Sequence, residues 1–222
     1  MERKISTIVF DLDGTLLNTL EDLADSTNYA LRQYGFAERT LEEIRAFVGN
    51  GVRKLIERAL PEGAENPLFN SVFSCFKSYY VDHCMEKTGL YAGIPEMLHE
   101  LKSAGYHLAI VSNKLQSGVD ELYEHYFSDT VEVAVGERPE LNRKPAPDMV
   151  LLALEKLGVS TDEAVYVGDS DVDVATARNS GLPCISVLWG FRDKEFLVQH
   201  GAHCFAQTPE EICRIIKSML VE

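Results

Sequence analysis

Long apolar runs are missing from this chain of 222 residues: none approaches the roughly 20 residues that a bilayer-spanning helix needs. The first apolar stretch is interrupted by Asp11 and Asp13, so it does not read as a secretion signal. Basic residues are also scarce, with 21 Lys and Arg against 35 Asp and Glu and a formal net charge of −14. That balance argues against nucleic acid and anionic membranes as partners. Cysteines are few, and the five (Cys75, Cys84, Cys184, Cys204 and Cys213) are odd in number. No two are spaced Cys-x-x-Cys, and the six His form no ligand pattern with them. The expectation is reduced thiols in a cytoplasmic protein without a zinc site. Internal repeats and low-complexity tracts are absent too. The chain is long enough to bury a core that needs neither disulfide nor structural metal. An acidic protein that handles an anionic metabolite must concentrate positive charge locally, through a metal ion or a placed lysine.

Residues 10 to 15 read Phe-Asp-Leu-Asp-Gly-Thr, directly after the β-branched pair Ile8 and Val9. An apolar run ended by Asp and Gly is a buried strand stopping at a loop. Two residues apart on an extended backbone, Asp11 and Asp13 leave on one face. Carboxylates forced together repel, and chains keep such a pair where a cation lies between them or where one is an acid and the other a nucleophile. The same residues also suit an ordinary acidic exit into a turn. The motif resembles the first signature of the haloacid dehalogenase-like superfamily, the aspartate-nucleophile phosphatases. The resemblance implies that Asp11 attacks phosphorus to form an aspartyl-phosphate. It also implies that Asp13 protonates the leaving oxygen and then activates water. The dehalogenase branch, which attacks carbon, lacks the second aspartate, so Asp13 points to phosphoryl transfer.

Beyond residue 15 the period becomes helical up to about Cys84. Leu20, Leu23, Ala24, Thr27 and Leu31 form one stripe, Leu41, Ile44 and Val48 a second, and Val52 to Leu60 a third. Residues 68–84 form a fourth, whose aromatic stripe reads as packing between helices. From Gly89 on, helices and strands alternate. Strands are expected at 107–111, 131–135, 164–167 and 184–188. Helices are expected around Leu98, over 120–126, 148–157 and 172–179, and after a capping box at Thr208, Pro209 and Glu211. Alternation of this kind gives a parallel sheet covered on both faces. The expected architecture is α/β: a Rossmann-like, doubly wound parallel sheet core over 1–15 and 86–222, interrupted by a helical-bundle cap over 16–85.

Ligands of open α/β sheets bind beyond the carboxyl ends of the strands. After the expected strands come Asp11 and Asp13; Ser112, Asn113 and Lys114; and Gly168, Asp169, Ser170 and Asp173. Lys144 stands between a strand and a helix. Singly, Ser112 suits a turn hydroxyl, Lys144 a solvated lysine and Gly168-Asp169 a helix entry; Lys114 reads as surface. A carboxylate nucleophile and a phosphoryl centre repel, and Mg²⁺, which prefers oxygen ligands, would bridge them. Asp11, the main-chain carbonyl of Asp13 and Asp169 would hold it, with Asp173 bound through water or bracing. Ser112 and Asn113 would hold phosphate oxygens, and Lys144 would neutralise the nucleophile and the transferring group. Together Asp11/Asp13, Ser112, Lys144 and Gly168-Asp169 with Asp173 match the four signatures of the superfamily, in order and in spacing.

Within that superfamily the helical insert is similar to the cap of the phosphoglycolate phosphatase-like and β-phosphoglucomutase-like group. The runs Val48-Gly49-Asn50-Gly51, Leu55 to Leu60 and Gly89-Leu90-Tyr91 resemble bacterial phosphoglycolate phosphatases. Asn18-Thr19 stands where Asp-Ser is common and Ala92 where Pro is usual, and residues 137–143 fit no assigned pattern. Gly49, Asn50, Gly51 and Arg53 are the expected substrate-contacting residues of the cap; Arg53 and Lys54 suit either a substrate carboxylate or plain exposed basic positions on a helix. The joints near Leu16-Asn18 and Lys87-Gly89 would be its hinge. The expected enzyme hydrolyses a small phosphorylated metabolite, 2-phosphoglycolate first, as monomer or homodimer. A β-phosphoglucomutase-like phosphomutase, a pyrophosphatase of the same branch and a phospho-accepting signalling domain are the alternatives.

Overall fold

A computed structural model describes residues 5–219, and these fall into two compact units. One comprises the chain up to Leu16 and from Leu90 onward; the other is Leu17–Gly89. Residues 1–4 and 220–222 of the expected core lie outside the described residues.

The first unit is built on a six-stranded parallel sheet: β1 (Thr7–Phe10), β4 (His107–Leu115), β5 (Val133–Glu137), β6 (Ala164–Gly168), β7 (Cys184–Val187) and β8 (Phe205–Ala206), in the order β5-β4-β1-β6-β7-β8. Every residue of β1 and β6 is buried, as a sheet covered on both faces requires. Helices α5 (Ile94–Ser103), α6 (Gln116–Tyr126), α7 (Asp148–Leu157), α8 (Asp171–Ser180), α9 (Lys194–Gln199) and α10 (Pro209–Ser218) connect and cover the strands. From β1 the chain builds outward through β4 and β5, then returns to β6 on the other side. The strand order therefore reverses beside β1, the place where such sheets bind ligands. The register is level there, with Phe10 opposite both Ile110 and Val167, so β1 and β6 end at nearly one height while β4 runs on beside the residues that follow β1.

Three expectations shift. β4 continues beyond Val111 to Leu115, so Ser112, Asn113 and Lys114 are strand residues, and α6 begins at Gln116 rather than 120. β5 begins at Val133 rather than 131, because Thr130 and Val131 turn their N–H groups back to the Phe127 carbonyl. The capping box at Thr208 is not made: the Glu211 carboxylate accepts from Gln207 N–H at 2.7 Å instead. Helix α9, capped by the Asp193 carboxylate on Phe196 N–H at 2.8 Å, and the two-residue β8 have too little periodicity to be read in advance.

The second unit contains α1 (Leu20–Gln33), α2 (Leu41–Phe47), α3 (Val52–Ala59) and α4 (Phe69–His83). Short strands β2 (Leu17–Asn18) and β3 (Gly89–Leu90) pair in a separate two-stranded sheet. Thr40 and Glu43 close a reciprocal capping box on α2. Phe69, Val72 and Phe76 of α4 are buried with Leu23 and Leu31 of α1, and Tyr79 stacks on Tyr29 with ring centres 3.9 Å apart. The unit runs past the expected boundary at 85 to Gly89. The reason is Asp22, a buried α1 carboxylate that accepts the main-chain N–H of Lys87 at 3.0 Å and of Thr88 at 2.8 Å.

A buried carboxylate that satisfies two main-chain donors leaves both unpaired when it is removed. Asp22→Ala is expected to lower unfolding free energy by about 2–4 kcal/mol, measured by urea denaturation. A change below about 0.5 kcal/mol would show that Asp22 does not fasten this segment.

Candidate active site

The site forms where β1 ends. Asp11 is the first residue beyond the strand, and its N–H donates to the Val167 carbonyl at 2.9 Å, so the sheet ladder fixes its backbone. Three residues later the chain turns through Gly14 at φ +88°, a conformation that side chains resist. A Cβ at Gly14 would also lie 2.4 Å from Asp169 Oδ2. The turn is tied down by Trp189, whose indole N–H donates to the Thr15 carbonyl at 3.0 Å.

Asp169 follows β6. Its Oδ2 accepts Phe191 N–H at 2.7 Å and its Oδ1 faces the Thr15 hydroxyl at 3.4 Å. Asp173 lies in the first turn of α8, and its oxygens have four donors: Ser170 N–H and Oγ on Oδ2, the Lys144 ammonium and the Tyr166 hydroxyl on Oδ1. Gly168 lets Asp173 come this close, since a Cβ there would sit 2.3 Å from that of Asp173.

Lys144 joins the groups. Its Nζ lies 2.6 Å from Asp11 Oδ1, 2.8 Å from Asp173 Oδ1 and 3.0 Å from the Tyr166 hydroxyl, with the side chain almost wholly buried. The loop that carries it is held from β4. Asn113 accepts Lys144 N–H on its Oδ1 at 2.9 Å and donates its Nδ2 to the Lys144 carbonyl at 3.1 Å. The Asn113 carboxamide, expected at phosphate, is thus engaged with the backbone of the lysine loop. Asn179 of α8 braces the same loop through the Pro145 carbonyl at 2.8 Å.

Asp13 stands apart from this cluster. Its side chain is 24% exposed, its Oδ2 accepts from Ser112 Oγ at 3.4 Å, and Lys114 Nζ lies 3.7 Å from its Oδ1. Lys114, expected at the surface, has a side chain only 7% exposed.

The described residues thus bring Asp11, Asp13, Ser112, Asn113, Lys144, Asp169 and Asp173 to adjoining strand ends. Tyr166 and Phe191 join them without having been anticipated. The first looks like any aromatic in a buried strand, and the second contributes a main-chain N–H that leaves no mark in the sequence. Gly49, Asn50, Gly51 and Arg53 belong to the helical unit. There Arg58 fastens the turn between α2 and α3 by donating to the Phe47 carbonyl and to Asn50 Oδ1, each at 2.6 Å. The Arg53 guanidinium, expected at a substrate carboxylate, lies over the Phe69 ring, 4.6 Å from its centre.

Electrostatics at the site are unbalanced. Oxygens of Asp11, Asp169 and Asp173 all lie within 4.8 Å of one another, all three residues are buried, and one ammonium is bonded among them. Burial, and then the charge of Asp173, push Asp11 well above the usual carboxylate range, although Lys144 opposes the shift. The same two causes push Asp169 up to about 7. Burial alone would discharge Lys144, but Asp11 and Asp173 reverse that and hold the ammonium well above its ordinary value. Tyr166 is kept protonated by its burial. Excess buried negative charge with oxygen donors only is the setting of a hard divalent cation. With Asp173 already holding four donors, Asp11 and Asp169 are the carboxylates best placed to ligate one.

A family model described as haloacid dehalogenase-like hydrolase matches residues 8–187. The chain belongs to that family. It is 34% identical over 204 residues to the phosphoglycolate phosphatase of Vibrio cholerae serotype O1, an alignment covering 87% of this chain and 88% of that one. It is 32% identical over 185 residues to the phosphoglycolate phosphatase of Aquifex aeolicus, covering 83% and 85%. A crystal structure from Lactobacillus delbrueckii subsp. bulgaricus, of a protein given provisionally as a phosphoglycolate phosphatase, superposes with a TM-score of 0.92 at 38% identity over 99% of this chain and 100% of that one. Fold and kinship make this hydrolase a phosphatase. None of its described helices is long and apolar enough to cross a membrane.

The raised Asp169 gives the hydrolase a pH signature. A carboxyl that titrates near 7 when folded, against 3.8 ordinarily, binds its proton more tightly in the folded state. It therefore subtracts stability as pH rises through that window. In chelator, unfolding free energy measured from about pH 5 to pH 8 is expected to fall less steeply for Asp169→Asn than for the parent. Equal slopes would contradict the strained carboxylate.

Proposed function

We propose that this hydrolase cleaves a small phosphomonoester, 2-phosphoglycolate first, through a phosphoaspartate on Asp11 and with Mg²⁺ as cofactor. The supporting observation is the placement of Asp11: fixed at the end of β1, bonded to Lys144, and followed two residues later by a more exposed carboxyl group. The relatives named above supply the substrate. An Asp11 oxygen attacks phosphorus while the ester bond to the leaving oxygen breaks, and Asp13 gives that oxygen its proton. Asp13 then takes a proton from water as the water attacks the phosphoaspartate, and inorganic phosphate leaves. Ser112 offers its hydroxyl to a phosphoryl oxygen. Lys144 holds Asp11 in place and offsets the charge gathering on the transferring group. Asn113 acts one step back, by fixing the lysine loop.

Mg²⁺, held by Asp11, Asp169 and the Asp13 main-chain carbonyl with Asp173 bracing, would supply positive charge against the phosphoryl oxygens. In the helical unit, Gly49, Asn50 and Gly51 are read as the substrate-contacting turn. Arg53, lying over Phe69, is read as fixed by packing before it is read as a carboxylate ligand. The acidic charge and five cysteines without a disulfide suit a cytoplasmic enzyme, monomer or homodimer, with no nucleic-acid or membrane partner.

Phosphate release from 2-phosphoglycolate, sugar phosphates, nucleotides and pyrophosphate is the test. Turnover should favour 2-phosphoglycolate, vanish in chelator, return with Mg²⁺ and fall about 10³-fold or more in Asp11→Asn. Full activity in Asp11→Asn would overturn the nucleophile. An even spread over sugar phosphates would overturn the substrate and move the reading toward a phosphomutase.

A further inference from the structure

The mechanism leaves one buried cation without a task. Lys144 serves Asp11, yet β4 brings a second lysine to the site. The register of β4 against β5 shifts between Val111 and Leu115, and within that irregular stretch the side chains divide between two neighbours. Ser112 and Lys114 both reach Asp13, while Asn113 between them holds the Lys144 backbone on the other side. Lys114 is anchored at both ends: its N–H donates to Ser112 Oγ at 3.1 Å, and its stem lies along the first turn of α6. A Cβ at Gly118 would come within 3.3 Å of Lys114 Cε, so glycine at 118 leaves room for that stem. A lysine at a strand end is ordinarily solvated, but this one keeps 7% of its side chain exposed, less than the 24% of the aspartate it meets.

We infer that Lys114 is a positioning residue for Asp13, fixing which of the two carboxyl oxygens faces the leaving group. Lys114 Nζ lies 3.7 Å from Oδ1, and Oδ1 is otherwise a buried oxygen without a hydrogen bond. With Oδ1 held beside the ammonium, Oδ2 is the oxygen turned toward Ser112 and so toward the phosphoryl site. Lys114 acts through Asp13.

The inference rests on the reading of Asp13 as the acid, and the test separates the two. kcat/KM, which reports the chemistry up to phosphoaspartate formation, is measured for an alkyl phosphate taken from the substrate panel and for an aryl phosphate with an acidic phenol. The alkoxide needs its proton as the bond breaks; the phenolate does not. Lys114→Met and Lys114→Gln should lose roughly 10–100-fold on the alkyl ester and less than about threefold on the aryl ester, with Lys114→Arg recovering part of the loss. Asp13→Asn should show the same selectivity in stronger form. If Lys114→Met and Lys114→Gln lower both esters alike, or raise KM alone, while Asp13→Asn stays selective, Lys114 binds phosphate or merely packs, and the inference is overturned by itself. If Asp13→Asn loses both esters equally, the acid reading falls and the inference falls with it. Thermal unfolding of each variant shows whether a loss common to both esters is a loss of fold, which also counts against a positioning role.

Discussion

The ammonium of Lys144 among buried oxygens is the interaction on which the rest of this structure depends. Taking an amine and three carboxylates out of water is expensive, and the arrangement holds only because each charge finds a partner at hydrogen-bonding distance. The sheet makes that possible. The level register of β1 with β4 and β6 brings Asp11, Asn113 and Tyr166 together from residues far apart in sequence. Asn113 and Asn179 then hold the loop that delivers the lysine. Break the pairing, and buried carboxylates would face one another with no counter-charge.

The pairing is also incomplete, and that incompleteness is what suits the site to chemistry. Asp173 is satisfied four times over and behaves as framework. Asp169 is held by one main-chain donor and one distant hydroxyl, and it remains reluctant to ionise. Asp11 is gripped on one oxygen by Lys144. A chain with a net charge of −14 thus concentrates two buried lysines and a cation-hungry carboxylate cluster where an anionic group would have to approach. Local charge, not the net charge, sets what the site can bind.

Much of this was legible in the sequence, for a definite reason. Asp11, Asp13, Ser112 and Asp169 follow short β-branched runs; each alone suits a turn or helix entry, and it is their convergence on strand ends that marks a site. Lys144 could be picked out only through the family resemblance, since nothing local distinguishes it from a solvated lysine. Tyr166 was hidden because a tyrosine within Ala164–Gly168 reads as core, and it is core; only its hydroxyl reaches the charged cluster. Lys114 was hidden by ending the strand at Val111. β4 in fact runs on to Leu115 through a register shift that leaves no mark in the sequence, and there Lys114 meets Asp13 beside Ser112. The Phe191 N–H and the two-residue β8 carry no periodic signal at all. In the helical unit, Arg53 shows the limit of counting charges: an exposed cation near glycines suggested an anion, and its neighbours are aromatic rings.

The most direct test is to trap the covalent species. The hydrolase turning over its best substrate is quenched in acid and treated with borohydride, which reduces an acyl phosphate on aspartate to homoserine, and the peptide containing Phe10 to Thr15 is then sequenced by mass spectrometry. We expect the change at residue 11 alone, dependent on substrate and absent from Asp11→Asn. Turnover with an unmodified Asp11, or with the label at another residue, would contradict the assignment of Asp11 as the nucleophile.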